Sequence, residues 1–125
     1  RHLLLDKERV RLDVLSEGLH YMHVSRDNAA FLLASSAPGT FTIHPVGARN
    51  RPMLSFRNTV RSKKPSAVHH VHLYHSNSTE LGWRCDGVSF VLDGRHYDGR
   101  TQTFATLKDL ICALPYRLDF DARFA

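Results

Sequence analysis

Cysteine is scarce in this chain, which has only two among its 125 residues, Cys85 and Cys112. Two cysteines are too few for the disulfide framework of a small secreted domain, so a reducing compartment is the default expectation. Cys112 falls on the apolar face of a predicted helix, where we expect it to pack as a small hydrophobe.

Long apolar runs are also missing. The stretch Leu3-Leu4-Leu5 is too short for the apolar region of a signal peptide, and no segment approaches the length of a membrane helix. We therefore expect an intracellular protein, cytoplasmic or nuclear, that has no membrane segment. Because the sequence begins at Arg1, we also expect it to be part of a longer protein with further domains.

Motifs of catalysis are the third absence. No Ser/His/Asp or Cys/His pairing falls on one predicted pocket, and the segment from Gly94 to Gly99 lacks the spacing of a phosphate-binding loop. We therefore expect a binding module that is not an enzyme and carries no cofactor.

The sequence does contain enough apolar material for one globular domain. Hydrophobic residues make up 42% and charged residues 23%, which is typical of a soluble domain. The net charge of +5 and the pI near 9.6 favour an anionic partner. The basic residues are scattered and are not interleaved with aromatic side chains, so a nucleic-acid partner is disfavoured and a protein partner is expected.

The N-terminal part of the chain predicts two helices. Residues 1–17 are charged and ambiguous between helix and strand, and we predict a helix that ends before Gly18 and serves as a linker or as an arm packed on the domain. Residues 19–24 predict a short extended segment. Ser25 predicts the N-cap of a second helix, whose apolar face continues through Ala34.

The rest of the chain predicts a sheet and a closing helix. Strands are predicted at residues 40–45, 53–57 and 68–75, with a further strand region that includes residues 87–94. Thr106 and Asp109 form a start similar to a capping box, and Pro115 stops the helix that follows. The order predicts the α+β class, with a central antiparallel sheet flanked by two helices. We expect residues 1–18 to form the arm and residues 19–125 to form the domain.

Five segments, in this order, resemble those of a Src-homology-2 domain, the module that binds phosphotyrosine peptides. They are residues 24–33 (VSRDNAAFLL), 38–44 (PGTFTIH), 54–56 (LSF), 68–73 (VHHVHL) and 103–111 (TFATLKDLI). The resemblance covers roughly residues 19 to 120. It implies the same α+β fold and an intracellular role in protein interaction.

One position departs from the family pattern. Where the family's second segment ends in an arginine that grips the phosphate with two parallel hydrogen bonds, this chain has His44. A guanidinium is always charged and forked, whereas an imidazole cannot fork onto one phosphate and is only partly charged near neutral pH. The alternative interpretation is that His44 is a satisfied histidine at the edge of the core.

The resemblance implies a pocket and a peptide groove. We expect the phosphate or ligand pocket to be lined by Arg26, His44, Arg49, Arg51, Ser55, His70 and His72. We expect Val71, Tyr74 and Tyr97 to line the groove, unless they are core and rim residues. The arginines at positions 49 and 51 are alternatively exposed for solubility alone. The histidine cluster invites a zinc interpretation, but a fixed third and fourth ligand is missing, so no metal is predicted.

Two functions remain open. The first is a phosphotyrosine-peptide-recognition module with an altered, histidine-containing pocket and weak or non-standard binding. The second is a structural module of the same fold that docks neighbouring domains or a constitutive partner without phosphate.

Overall fold

The computed structural model of the chain describes residues 10–47, 51–57, 68–76, 82–85, 89–92, 94–98, 102–114, 116 and 118–120. The helices are α1 (residues 10–16), α2 (Arg26–Ala34) and α3 (Leu107–Ala113). The strands are β1 (Phe41–Val46), β2 (Arg51–Arg57), β3 (Val68–Ser76), β4 (Gly82–Cys85), β5 (Ser89–Leu92) and β6 (Arg95–Asp98).

The central sheet pairs four strands in the antiparallel order β1-β2-β3-β4, and β5 and β6 form a separate hairpin. Ile43 lies opposite Leu54, which lies opposite Val71 on β3. Since side chains alternate along a strand, this register puts a continuous apolar row on one face of the sheet and the polar residues of the same strands on the other.

Each face of the sheet is covered by one helix. The apolar face packs against Leu107, Leu110 and Ile111 of α3, and together they form the main core. On the other face, α2 packs across β1, β2 and β3 and buries Ala29 and Leu33 completely. The predicted class, a sheet between two helices, is confirmed.

Both predicted N-caps are confirmed. The hydroxyl of Ser25 accepts a hydrogen bond from the backbone N–H of Asn28 at 3.2 Å, and Thr106 accepts one from Asp109 at 3.1 Å. Each hydroxyl satisfies one of the N–H groups that the first turn of a helix leaves without an internal partner. These caps fix where α2 and α3 begin.

The first helix is joined to the core. Its Val14 is fully buried in the main apolar cluster. The carboxylate of Glu17 accepts hydrogen bonds from the backbone N–H groups of Leu107 and Lys108, both at 2.9 Å. A carboxylate at this position also opposes the positive end of the helix dipole. The division of the chain at residue 18 stays a prediction.

The segment that follows α1 lies against the outer edge of β1. The N–H of Met22 donates to the carbonyl of Ile43 at 2.9 Å, and the N–H of Ile43 donates to the carbonyl of His20 at 3.1 Å. The predicted extended segment at residues 19–24 therefore pairs with β1 in parallel over a single bridge, between Tyr21 and Ile43.

Two details differ from the sequence-based expectations. The sequence predicted one strand region where the structure has the β5–β6 hairpin. The Asp-Gly pair before Arg95 is a strong hairpin signal, because the turn requires a positive φ, and Gly94 has a φ of 78°. Cys112 is exposed, so its expected burial is wrong. It follows Ile111 by about 100° around α3, which turns it away from the buried stripe.

No helix in the described part of the chain is long and apolar enough to span a membrane.

Candidate functional site

The polar face of the sheet beneath α2 carries the candidate site. Thr42 on β1, Ser55 on β2 and His70 on β3 are direct cross-strand partners. His44 lies two residues along β1 from Thr42, on the same face and diagonal to Ser55. The sheet therefore brings three of the expected pocket residues, His44, Ser55 and His70, into contact.

Ser55 joins the two histidines through its hydroxyl. Its Oγ lies 2.7 Å from Nε2 of His44 and 2.6 Å from Nδ1 of His70. Both distances are at the short end for hydrogen bonds, and one hydroxyl can donate to only one of the two rings. We call this chain of His44, Ser55 and His70 the relay.

The inner end of the relay is buried. His44 and Ser55 are both fully buried. Burial lowers the pKa of His44, because desolvation penalises the imidazolium, while backbone hydrogen bonding at Pro45 and Val24 opposes the shift. Nδ1 of His44 has no hydrogen-bond partner of good geometry among the residues that the structure describes. This histidine is therefore neutral at pH 7.

The outer end of the relay lies below the start of α2. His70 is partly exposed, and the first two residues of α2, Arg26 and Asp27, act on it electrostatically. Desolvation lowers the pKa of His70, and the charges of Arg26, His44 and His69 lower it further, whereas Asp27 raises it. The site thus offers one permanent cation, Arg26, beside an imidazole that gains charge only in acid.

The buried histidine makes stability depend on pH. The pKa of His44 is lower in the folded chain than the value of about 6.5 expected after unfolding, so the unfolded chain binds more protons below that pH. Stability should be complete above about pH 6.5 and should decrease as the pH falls towards 5. When the melting temperature is measured at several pH values in this range, His44→Gln should reduce its slope against pH, because an amide does not titrate. His96→Gln changes an exposed histidine and is the control, which should leave the slope of the melting temperature against pH as in the wild type. If His44→Gln also left this slope unchanged, His44 would not be the cause of the pH dependence.

The other expected pocket residues do not join the relay. His72 lies on the same face of β3 but is exposed, and Arg51 is exposed at the start of β2, opposite Val46. Arg49 lies outside the described residues.

The expected groove residues have three different placements. Val71 is buried in the main core, with 6% of its surface exposed. Tyr74 is partly exposed, and the guanidinium of Arg84 lies 5.1 Å from the centre of its ring. The backbone of Tyr97 pairs with Phe90 in the β5–β6 hairpin, but its side chain is outside the described part of the structure.

Sequence reasoning placed Ser55 in the pocket but missed its bridging position. It also missed that Nδ1 of His20 lies 3.2 Å from the hydroxyl of Thr42, which extends the polar surface to the segment before α2. Strand alternation gave the shared face. The bridge itself depends on the register of three strands, which alternation does not determine.

The site has the chemistry of an anion receptor. An arginine, a titratable imidazole and the N-terminus of α2 all favour negative charge. Among the described residues, no group of three or more His, Cys, Asp or Glu side chains is arranged to hold a metal ion.

Comparison with known proteins gives one informative similarity. No family model matches the chain, and no curated protein matches it in sequence. By structure, the chain is similar to the solution structure of the VAV1 SH2 domain complexed with a tyrosine-phosphorylated peptide from SLP76. The TM-score is 0.50 and the identity is 17%, over 89% of this chain and 75% of that one. At this identity the similarity shows the fold alone, which is Src-homology-2-like.

Proposed function

We propose that this chain is a protein-interaction domain of the phosphotyrosine-peptide-recognition type with a histidine-containing phosphate pocket. It would act by binding a segment of another protein inside the cell, in the cytoplasm or nucleus, without catalysis or a cofactor. Other domains of a longer host chain are the expected neighbours. The neighbour of similar fold was solved with a tyrosine-phosphorylated peptide, which supports this class of ligand.

The observation that carries the proposal is the position of His70. Ser55 holds one side of its ring at 2.6 Å, and Arg26 at the start of α2 interacts with it electrostatically. A phosphate placed against His70 would meet its imidazole and would lie within the electrostatic reach of the Arg26 guanidinium. Arg26 is exposed in the structure, so its guanidinium can reorient towards a ligand.

The same geometry predicts weak binding. The strand position that holds a forked arginine in the family is taken by His44, which is fully buried and already hydrogen-bonded to Ser55. Because its ring is neutral at pH 7 and has no exposed surface, it offers a phosphate neither charge nor an accessible donor. Loss of a buried charged contact typically costs about 2–5 kcal/mol in comparable interfaces.

The test is a binding screen with a degenerate phosphotyrosine-peptide library, using free phosphotyrosine as competitor. Binding should be displaced by the competitor and should weaken by about tenfold to a hundredfold in Arg26→Ala, since charge-assisted hydrogen bonds contribute about 1.5–3 kcal/mol. Arg95→Ala, which removes an exposed arginine from β6, is the charge-matched control and should bind like the wild type. Equal affinities for the two variants would remove Arg26 from the pocket.

A second candidate is a structural module that docks a neighbouring domain or a constitutive partner without phosphate. The observation in its favour is the relay itself, because His44 is fully buried and its Nε2 is already hydrogen-bonded to Ser55. If no library peptide binds between about pH 6 and pH 8, the phosphotyrosine proposal fails and this candidate replaces it.

A further inference from the structure

The polar face of the sheet continues past the relay onto a surface that the proposed pocket does not use. Side chains two residues apart on a strand point to the same face, so His72 and Tyr74 follow His70 along β3. His72 is exposed and Tyr74 is partly exposed. Tyr74 lies opposite Arg84 on β4, which is exposed as well. A ligand bound at His70 can therefore reach Arg84 along a row of accessible side chains.

The orientation of Arg84 follows from its neighbours on β4. Trp83 and Cys85 are buried in the main core, on the apolar face of the sheet. Because side chains alternate along a strand, Arg84 points to the opposite face, which is the one that carries Tyr74 and His70.

The ring of Tyr74 holds the guanidinium of Arg84 in place. Cζ of Arg84 lies 5.1 Å from the centre of the ring, within the range of a cation–π contact. Such a contact uses the face of the ring and the charge of the guanidinium, but none of its five N–H groups. Arg84 can therefore serve a partner within the chain and still donate to the carboxylate of a ligand. Fixing the side chain in advance also lowers the entropy that binding costs.

We infer that Tyr74 and Arg84 form a second subsite, which selects an acidic residue of the same phosphotyrosine peptide. Arg84 is the specificity-determining residue, because it pairs with the carboxylate. Tyr74 is the positioning residue, because it acts through Arg84. The inference rests on the proposed function, since it concerns which phosphopeptides the domain prefers.

The spacing along β3 limits where the acidic residue lies in the peptide. Tyr74 is four residues from His70, and a strand rises roughly 3.3 Å per residue, so the two positions are about 13 Å apart. An extended peptide covers this distance in about four residues. We therefore expect one preferred position for aspartate or glutamate, within about four residues of the phosphotyrosine. A preference at every position would instead indicate general attraction to the net charge of +5.

The alternative is that Tyr74 contacts an apolar residue of the peptide. The guanidinium of Arg84 already lies over the ring, so an apolar side chain would have to displace it or remove water from its charge. Removing water from a charge without pairing it is costly. A carboxylate pairs with the charge and leaves the contact between ring and guanidinium intact, so an acidic residue fits this surface better.

A positional peptide scan tests the inference. A phosphotyrosine peptide taken from the library screen receives a single glutamate or glutamine at each of about four positions on either side of the phosphotyrosine. At one position, the glutamate peptide should bind the wild type about twofold to fivefold more tightly than the glutamine peptide, which is the range of an exposed ion pair. This advantage should decrease as the salt concentration rises.

Arg84→Gln should remove the preference for glutamate and leave the affinity for the glutamine peptide unchanged. Because the side chain of Arg84 is exposed, this variant is expected to fold. Arg95→Gln changes an exposed arginine on β6 and is the matched control, which should keep the preference.

Two variants of Tyr74 test its positioning role. Tyr74→Phe keeps the ring and should keep the preference for glutamate, whereas Tyr74→Leu should reduce it. Tyr74→Leu should leave the affinity for the glutamine peptide unchanged, because the effect passes through Arg84. If Tyr74 contributed to stability alone, Tyr74→Leu would change the affinities for both peptides by the same factor.

Two outcomes would overturn the inference and leave the proposed function standing. One is wild-type binding without a preferred position for glutamate, and the other is a preference that persists in Arg84→Gln. Absence of binding by every phosphopeptide would overturn the proposed function and this inference with it.

Discussion

Replacing His44 with arginine is expected to raise the affinity for tyrosine-phosphorylated peptides by roughly thirtyfold to several thousandfold. The position lies on the sheet beneath the start of α2, two residues along β1 from the row that holds Ser55 and His70. An arginine side chain is longer than an imidazole and is always charged, so it can extend past Ser55 and donate two parallel hydrogen bonds to one phosphate.

The phosphopeptide affinity of the same variant should depend less on pH than that of the wild type. A guanidinium is charged at every pH, whereas the imidazole of His70 gains charge only in acid, so the rise in affinity expected for the wild type between about pH 8 and pH 6 should be smaller in this variant. The buried guanidinium should also lower the melting temperature in the absence of ligand, and a bound phosphopeptide should restore it by mass action.

His44→Lys is the control for charge without a fork, and we expect it to gain much less than His44→Arg because an ammonium is a point donor. Affinity is measured by fluorescence polarisation with a labelled peptide, after circular dichroism has shown that each variant is folded. A folded His44→Arg variant that binds no phosphopeptide would show that the polar face of the sheet beneath α2 is not a phosphate site. That result would favour the structural module.

The local features of the fold were predictable because they depend on neighbouring residues. Ser25 and Thr106 were recognised as caps from the residue type and the following turn, and β1, β2 and β3 followed from alternation. The contacts that build the site are not local. The hydrogen bond between His44 and Ser55 crosses strands, and the two hydrogen bonds that Glu17 accepts come from residues 90 and 91 positions along the chain. Such contacts depend on register and on the packing of α1, which no short pattern encodes.

The first helix illustrates the limit most clearly. Its apolar residues lie on two sides: Val14 is fully buried, whereas Leu12 and Leu15 are 57% and 42% exposed. A sequence in which both sides of a helix are apolar does not reveal which side meets the core. The sequence-based expectation was a helix that forms a linker or an arm packed on the domain. The structure packs the helix on the core at Val14 and on the beginning of α3 through Glu17, while the division of the chain at residue 18 stays a prediction.

Val14→Asp is expected to destabilise the whole domain by about 3 kcal/mol or more, because it places a carboxylate in a fully buried apolar site with no partner. For a chain of this size, that loss corresponds to a decrease in melting temperature of roughly 10 °C or more. Leu12→Asp, on the exposed side of the same helix, is the matched control and should change the free energy of unfolding by no more than about 0.5 kcal/mol.

Urea unfolding followed by tryptophan fluorescence reports on the whole domain. The single tryptophan, Trp83, lies on β4, far along the chain from α1, and is buried in the same core as Val14. If α1 unfolds together with the rest of the domain, Val14→Asp should lower the urea concentration at the midpoint of the Trp83 transition. The dependence of the unfolding free energy on urea concentration should stay unchanged. If α1 were an arm that detaches independently, Val14→Asp would release it while the Trp83 transition stayed at the wild-type midpoint. That result would support the division of the chain at residue 18 and contradict the packing of α1 described above.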